Sequence, residues 1–163
     1  MKMKNLMTMT MAAMAFVLGM SSCSSSNDDA SEAAVASQVV GTYAGNEIVM
    51  VNNEESSNEA KTYEFTKATD TSIDMTIPEV GMGMMTIPAL PIKDISLKKE
   101  GNTIKGTLAK YEGTLKGTDG TDKAYTVNNI TILFSDKTIV ATFTTKYGKM
   151  PFNLETVFTG TKK

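Results

Sequence analysis

From Val39 onward, apolar and polar residues alternate with a period of two. Ile73, Met75 and Ile77, for example, alternate with polar residues. Eight segments rich in Thr, Ile, Val, Tyr and Phe are predicted strands: 47–51, 62–67, 72–78, 86–97, 103–108, 125–134, 138–145 and 149–158. Because each strand has one apolar and one polar face, the pattern indicates an antiparallel sheet with one face in solvent.

Short polar turns separate the predicted strands. Gly or Asp occurs in each of the segments 99–102, 118–121, 135–137 and 147–149. Such turns join strands that are adjacent in the chain, which predicts an up-and-down order. No segment predicts a helix long enough to cover a sheet edge, so we expect the sheet to close. The predicted fold is therefore all-β: an eight-stranded antiparallel up-and-down barrel over residues 39–163.

The first 22 residues have the pattern of a signal peptide. Lys2 and Lys4 precede an uncharged, mostly apolar run over 6–20. This run is shorter than the roughly 20 residues that a membrane-spanning helix needs. Seven of the 13 methionines belong to this segment, so richness in methionine is mainly a property of the signal.

Cys23 is the single cysteine of the chain and directly follows Met20-Ser21-Ser22. This sequence resembles the lipobox of type II signal peptides, in which an apolar residue and two small ones precede the cysteine that is acylated. The resemblance predicts lipidation of Cys23 and a palmitate-containing anchor in the outer membrane. The alternative is an ordinary secretion signal with an incidental cysteine.

Residues 23–38 are rich in Ser, Ala and acidic residues and are predicted to form a flexible tether. A short helix over 30–37 is expected where the chain enters the domain. The acidic step 27–29 resembles the surface-export signal of Bacteroidota lipoproteins, which would expose the domain at the cell surface. A solvated spacer is an equally good interpretation.

Charge excludes several classes of function. Without the signal, 14 lysines face 18 acidic residues, a net charge of −4, and the chain has neither Arg nor His. This composition argues against nucleic-acid binding, against catalysis by a Ser-His-Asp or Cys-His group, and against a zinc site. Asp119 and Asp122 could offer carboxylates to Ca²⁺, but a hairpin turn explains them better. We therefore expect no enzyme activity, no metal and no cofactor.

Three segments together resemble the calycin-like β-barrel lipoproteins of Bacteroidota: VVGTYAG over 39–45, the stretch 75–95 and VFTGTKK over 157–163. Gly41-Thr42-Tyr43 occupies the place of the lipocalin Gly-x-Trp signature. The resemblance implies that the Tyr43 ring packs at the closed end of the barrel under a basic side chain of the last strand. Since the chain has no Arg, Lys162 is expected there. The resemblance also implies binding of a small, often hydrophobic molecule.

Candidate ligand contacts fall into two groups, and plain core is the favoured interpretation of both. The predicted lining of the barrel is Tyr43, Met50, Tyr63, Phe65, Met75, Phe134, Phe143 and Phe152. Met82, Met84 and Met85 lie among glycines between Val80 and Pro91, where a flexible apolar loop at the barrel mouth would suit a variable ligand. A bent strand whose methionines fill the core explains the same pattern.

The sequence thus predicts a non-catalytic lipoprotein that binds a small hydrophobic ligand in the barrel or at its mouth. The rival is a module with a filled barrel that binds a protein partner, for example as an inhibitor. A cavity of at least about 300 Å³ would favour the ligand. An enzyme would return to consideration only if two carboxylates faced each other inside such a pocket.

Overall fold

A computed structural model describes residues 35–82, 85–117 and 119–163. Its elements are helix α1 (Val35–Val39) and strands β1 (Gly41–Val51), β2 (Glu54–Lys67), β3 (Ser72–Ile77), β4 (Val80–Met82), β5 (Met85–Ile87), β6 (Leu90–Glu100), β7 (Thr103–Lys116), β8 (Asp122–Ser135), β9 (Thr138–Tyr147) and β10 (Leu154–Lys162). The predicted signal peptide, Cys23, the acidic step 27–29 and Met84 lie outside the described residues.

Eight of the strands close into one antiparallel barrel in the order β1-β10-β9-β8-β7-β6-β3-β2. Each barrel strand pairs with the barrel strands that precede and follow it in the chain, and β1 meets β10 to close the ring. The predicted all-β, up-and-down barrel is therefore confirmed. β4 and β5 form a separate two-stranded hairpin between β3 and β6.

Three strands are longer than predicted, since β1 begins at Gly41, β2 begins at Glu54 and β7 ends at Lys116. Two other predicted strands are interrupted by turn residues. The segment 86–97 divides at Pro88, where β5 ends and two residues separate it from β6. Proline has no N–H to donate to a ladder, which explains the break. The segment 149–158 is a strand only from Leu154, because residues 148–153 form a loop that begins at Gly148, whose φ is 57°.

Bulges in β6 and β8 interrupt the alternation that the sequence predicts. Asp94 has a φ of 58° and Asn129 a φ of 54°, and the pairing register shifts beside each of them. As a result, Ile92 and Ile95 are both fully buried although they are three residues apart. Such bulges bend a strand and help a sheet to close.

Helix α1 covers one end of the barrel, called here the closed end. Val35 and Ala36 are buried, and the Ala36 amide donates a hydrogen bond of 3.0 Å to the carbonyl of Asp70 in the β2–β3 loop. Residues 35–38, the last part of the predicted tether, therefore pack against the domain as a helix. The β1–β2, β7–β8 and β9–β10 connections lie at the opposite, open end.

The Gly41-Thr42-Tyr43 motif forms the contact predicted for it. The Lys162 ammonium lies 5.9 Å from the centre of the Tyr43 ring and donates to the Gln38 carbonyl at 3.2 Å. The Tyr43 hydroxyl donates to the carbonyl of Val39 at 3.0 Å. Gly41, with a φ of 132°, leaves room for lysine, since a Cβ there would lie 3.0 Å from Lys162 Cε.

Aromatic side chains fill the closed half of the barrel. The Phe65 ring meets both Tyr43 and Phe134 edge-on, each with a centroid separation of 5.4 Å. Tyr63 stacks on Phe158 at 4.2 Å. Since all five side chains are at most 3% exposed, this half of the barrel is a packed core and not a vacant binding chamber.

Candidate functional site

The structure buries most of the predicted barrel lining. The buried members are Tyr43, Tyr63, Phe65, Met75, Phe134 and Phe143. Five of these six are the aromatic residues, which contact one another through a network of ring pairs. Their burial is the property expected of core residues as well as of ligand contacts, so ligand binding by this set stays a prediction.

Two members of the predicted lining lie elsewhere. Met50 is half-buried and pairs in register with Glu155 on the outer face, while the adjacent Val49 is buried. The prediction that Met50 lines the barrel is wrong, because neighbouring side chains of a strand face opposite ways. Phe152 is half-buried in the loop before β10 and not in a strand.

The predicted methionine loop is the β4–β5 hairpin. Met82 and Met85 are register partners at its tip, and the hairpin leaves the barrel between β3 and β6 at the open end. Val80 and Ile87, which pair at its base, are buried. Contact between these methionines and a ligand stays a prediction.

A cavity of about 780 Å³ lies at the open end, between the start of β8 and the β9–β10 loop. Its lining residues are Thr121, Asp122, Lys123, Ala124, Tyr147, Gly148, Lys149, Met150 and Pro151. None of the ligand contacts predicted from the sequence is among them. Tyr147 ends the inward-facing series of β9, and Met150 is buried just before Pro151. In the sequence, the alternation that makes Tyr147 the last inward-facing residue of β9 and the apolar residue before Pro151 are the signals that could have indicated the site.

Tyr147 is the most informative residue of this open-end cavity. Its side chain is 6% exposed, and its hydroxyl has no hydrogen-bond partner in the described part of the chain. Met150 is equally buried. The cavity therefore has apolar surface beside a lining tyrosine whose hydroxyl is buried and lacks a partner.

Of the three charged residues that line the open-end cavity, Asp122 and Lys123 form ion pairs and Lys149 forms none within the described residues. Asp122 pairs with Lys116 at 3.1 Å, and Lys123 pairs with Asp119 at 2.8 Å. The Lys123 hydrogen bond, with others from Thr121, holds the pKa of Asp119 well below its usual range. The carboxylate of Asp119 therefore serves the β7–β8 turn.

A second unusual group, Glu47, lies on the inner face of β1 and is 1% exposed. Its Oε2 accepts a hydrogen bond from the Tyr63 hydroxyl, and its Oε1 has no partner among the residues described. Burial raises the pKa of Glu47, while the Tyr63 bond and the Lys61 charge oppose that shift and Glu59 adds to it. Glu47 is not among the residues that the sequence predicted to line the barrel.

The arrangement of Glu47 does not meet the condition stated for an enzyme. Glu59 is its register partner on β2, but the Glu59 side chain is 53% exposed and forms an ion pair with Lys61. The two carboxylates therefore do not share an enclosed pocket.

Two further depressions are shallower or more polar. One of about 630 Å³ at the closed end contains Phe134 beside α1, and one of about 460 Å³ lies on the outer wall across β1, β9 and β10. Within the described ranges, no three acidic or cysteine side chains are grouped to hold a metal ion. The same ranges contain no helix of the length and hydropathy needed to span a bilayer.

Comparison with known proteins supports the fold. The family model described as calycin-like beta-barrel domain matches residues 39–161. The crystal structure of a candidate outer membrane protein from Bacteroides fragilis is similar, with a TM-score of 0.62 and 19% identity. The match covers 80% of this chain and 53% of that chain, so this chain spans about half its length. The curated proteins contain no significant match.

Proposed function

Because this chain belongs to the family of calycin-like β-barrel domains, we propose that it is a lipid-anchored outer-membrane lipoprotein that binds a small apolar ligand at the open end of its barrel. The observation that carries this proposal is the open-end cavity with the buried, unpartnered hydroxyl of Tyr147.

The size of the cavity supports a small-molecule ligand. Its volume of about 780 Å³ falls inside the range of roughly 300–1,000 Å³ that is usual for small-molecule sites. The aromatic packing of the closed half argues that the ligand stays near the mouth. We therefore expect a compact or short-chain molecule, and not one that extends through the whole barrel.

The chemistry of Tyr147 narrows the class of ligand. A buried hydroxyl without a partner costs about 1–3 kcal/mol, which a ligand oxygen or nitrogen at that point would recover. Met150 and Pro151 supply apolar surface beside it. The ligand that fits is mostly apolar and carries one hydrogen-bonding group.

The predicted anchor would be attached away from this site. The chain enters the domain at α1 on the closed end, whereas the cavity lies at the open end. Residues 24–34 between Cys23 and α1 span at most about 40 Å when fully extended. The structural similarity to a candidate outer membrane protein agrees with an envelope location.

Filling the cavity tests the proposal. Ala124 is an exposed residue of β8 that lines the cavity, and Thr142 is an exposed residue of β9 outside it. We expect A124W to reduce binding of the neutral apolar probe N-phenyl-1-naphthylamine by about tenfold or more, while T142W binds as the parent does. Equal binding by all three proteins would contradict the site.

The rival function, a protein-binding module, has one observation in its favour. The closed half of the barrel is packed with aromatic side chains, as expected of a filled barrel. This rival predicts that the full chain binds no apolar probe and that A124W changes nothing.

A further inference from the structure

The outer wall of the barrel has one large surface without charge, called here the uncharged face. It consists of the alternate, outward-facing residues of 58–62 on β2, 44–48 on β1, 157–161 on β10, 138–142 on β9 and 131–135 on β8, which lie in register across the five strands. None of these fifteen positions holds a charged residue, although 21% of the chain is charged. Covering this face therefore avoids the large cost of removing ions from water.

Charged residues lie at the border of the uncharged face. Lys105 on β7 is the register partner of Leu133, and Glu155 on β10 and Glu64 on β2 are each two residues beyond the face. Protein interfaces have a centre that is depleted in charge and a polar rim. The arrangement is therefore typical of a surface that binds another protein.

An apolar ridge crosses the uncharged face. Among the described residues, Leu133 and Val140 are the large apolar side chains that are exposed, at 43% and 41%. They are register partners on β8 and β9, so their side chains lie next to each other.

A depression of about 460 Å³ lies beside this ridge, across β9, β10 and β1. Ala44 contributes only a methyl group to its lining, and Gly45 and Gly160 contribute no side chain. Val140 lines the depression together with its register partner Thr159, so the depression begins where the ridge ends. Its volume exceeds that of a leucine and a valine side chain together.

A second copy of this chain matches the ridge and the depression. In a contact about a two-fold axis the same patch is used on both subunits, so every contact occurs twice. Leu133 and Thr159 lie on opposite sides of Val140, one strand away in each direction. With the axis beside Val140, Leu133 of each copy therefore lies over the depression of the other copy, near Thr159.

The composition of the uncharged face favours a copy of itself over a lipid surface. Two uncharged faces meet without repulsion between like charges. Surfaces that bind lipid use lysine or arginine together with large apolar and aromatic residues, and the fifteen positions of this face include no basic and no aromatic residue.

The area of the uncharged face is sufficient for a weak dimer. With strands about 4.8 Å apart and same-face residues about 6.8 Å apart, its fifteen positions cover roughly 500 Å². Two such faces bury about 1,000 Å², the lower bound for a specific interface. We therefore expect a dissociation constant on the order of 10 μM.

We propose that the uncharged face binds a second copy of this chain about a two-fold axis, with the Leu133 side chain of each copy in the depression of the other. The face shares no residue with the lining of the open-end cavity, so the dimer does not depend on the function proposed for that cavity.

Sedimentation equilibrium tests the dimer, with C23A in the full chain as the parent so that no lipid contributes to association. Over about 1–200 μM, we expect the parent to change from mostly monomer to mostly dimer. L133K and A44W should each raise the dissociation constant by about tenfold or more, because the first brings a charge to the depression and the second fills it. T76K, on the exposed outer face of β3, is the matched control for an added lysine and should associate as the parent does.

A mixture of two variants tests how the copies are oriented. L133K and T159E should each be monomeric alone. Mixed in equal amounts they should form a dimer, because the new lysine of one copy meets the new glutamate of the other while the second contact stays native.

Three outcomes would overturn the proposal: a parent that stays monomeric over the whole range, association of L133K or A44W as strong as that of the parent, or a mixture of L133K and T159E that stays monomeric. Circular dichroism checks that each variant keeps the barrel. If A44W fails to fold, L133K and T159E decide, because both positions are exposed.

Discussion

The hydroxyl of Tyr63 donates a hydrogen bond to the buried carboxyl group of Glu47 inside the barrel. Burial acts on both partners in the same direction, since it raises the pKa of Glu47 and raises that of Tyr63 well above its ordinary value of 10.0. The pair therefore links the interior of the barrel to the pH of the solution.

Stability should fall as the pH rises above the ordinary pKa of Glu47, 4.5. The folded chain keeps the proton of Glu47 to a higher pH than the unfolded chain does. Its contribution is thus fully present below pH 4.5 and is lost as the pH rises through the folded-state pKa. Urea unfolding between pH 4.5 and 8 should show this decline in the parent and a smaller one in E47Q.

Other titratable groups limit the pH range over which this prediction applies. Lys61 and Glu59 shift its pKa in opposite directions, and Tyr63 titrates only above pH 10. The pKa of Asp119 is lowered from its ordinary value of 3.8, so this group affects stability only below pH 3.8, where its contribution is lost as the pH falls. A parallel pH dependence in E47Q and the parent would mean that Glu47 is not the group responsible.

The contact between Lys162 and Tyr43 should contribute modestly to stability. Cation–π pairs at partly exposed positions are worth about 0.5–1 kcal/mol. We expect K162M to lower the free energy of unfolding by about that amount, and the effect should be smaller in a Y43L background, where only the hydrogen bond to Gln38 remains. K105M, on a lysine without a nearby aromatic contact in the described structure, is the control for loss of charge.

Gly45 should not tolerate a side chain. A Cβ at this position would lie 1.9 Å from the Thr159 carbonyl oxygen on β10. Since that oxygen belongs to the backbone of the pairing strand, G45A should lower the free energy of unfolding by more than about 2 kcal/mol. Gly81 has no atom within 4 Å of its would-be Cβ, so G81A should change stability little. Thermal unfolding of both variants checks the contrast.

Lipidation of Cys23 has a direct test. C23A should release the domain into the soluble fraction as a folded barrel, since the fold is built from residues 35–163. Fractionation shows the location, and circular dichroism shows the β structure. A variant that stays with the membrane would contradict the predicted anchor.

The sequence predicted the barrel because alternation and short turns are local signals. It also placed Lys162 over Tyr43 through the family resemblance. It failed at the bulges of Asp94 and Asn129, where one extra residue reverses the faces of a strand. Such reversals depend on the closure of the sheet, which no local pattern records.

The candidate site was less predictable than the fold. The open-end cavity depends on how the β9–β10 loop packs beside β8, and this loop was predicted as part of a strand. Glu47 was missed because its charge argued for solvent, although Tyr43 and Val49 on the same face are buried. Three-dimensional packing, and not residue type, decides both features.

Native mass spectrometry of the full chain purified from its host tests the central claim most directly. The account predicts a complex with a co-purifying apolar molecule in the parent and in T142W, and loss of that molecule in A124W, whose new side chain fills the cavity. A parent protein that carries no ligand, or an A124W variant that retains it fully, would contradict binding at the open end.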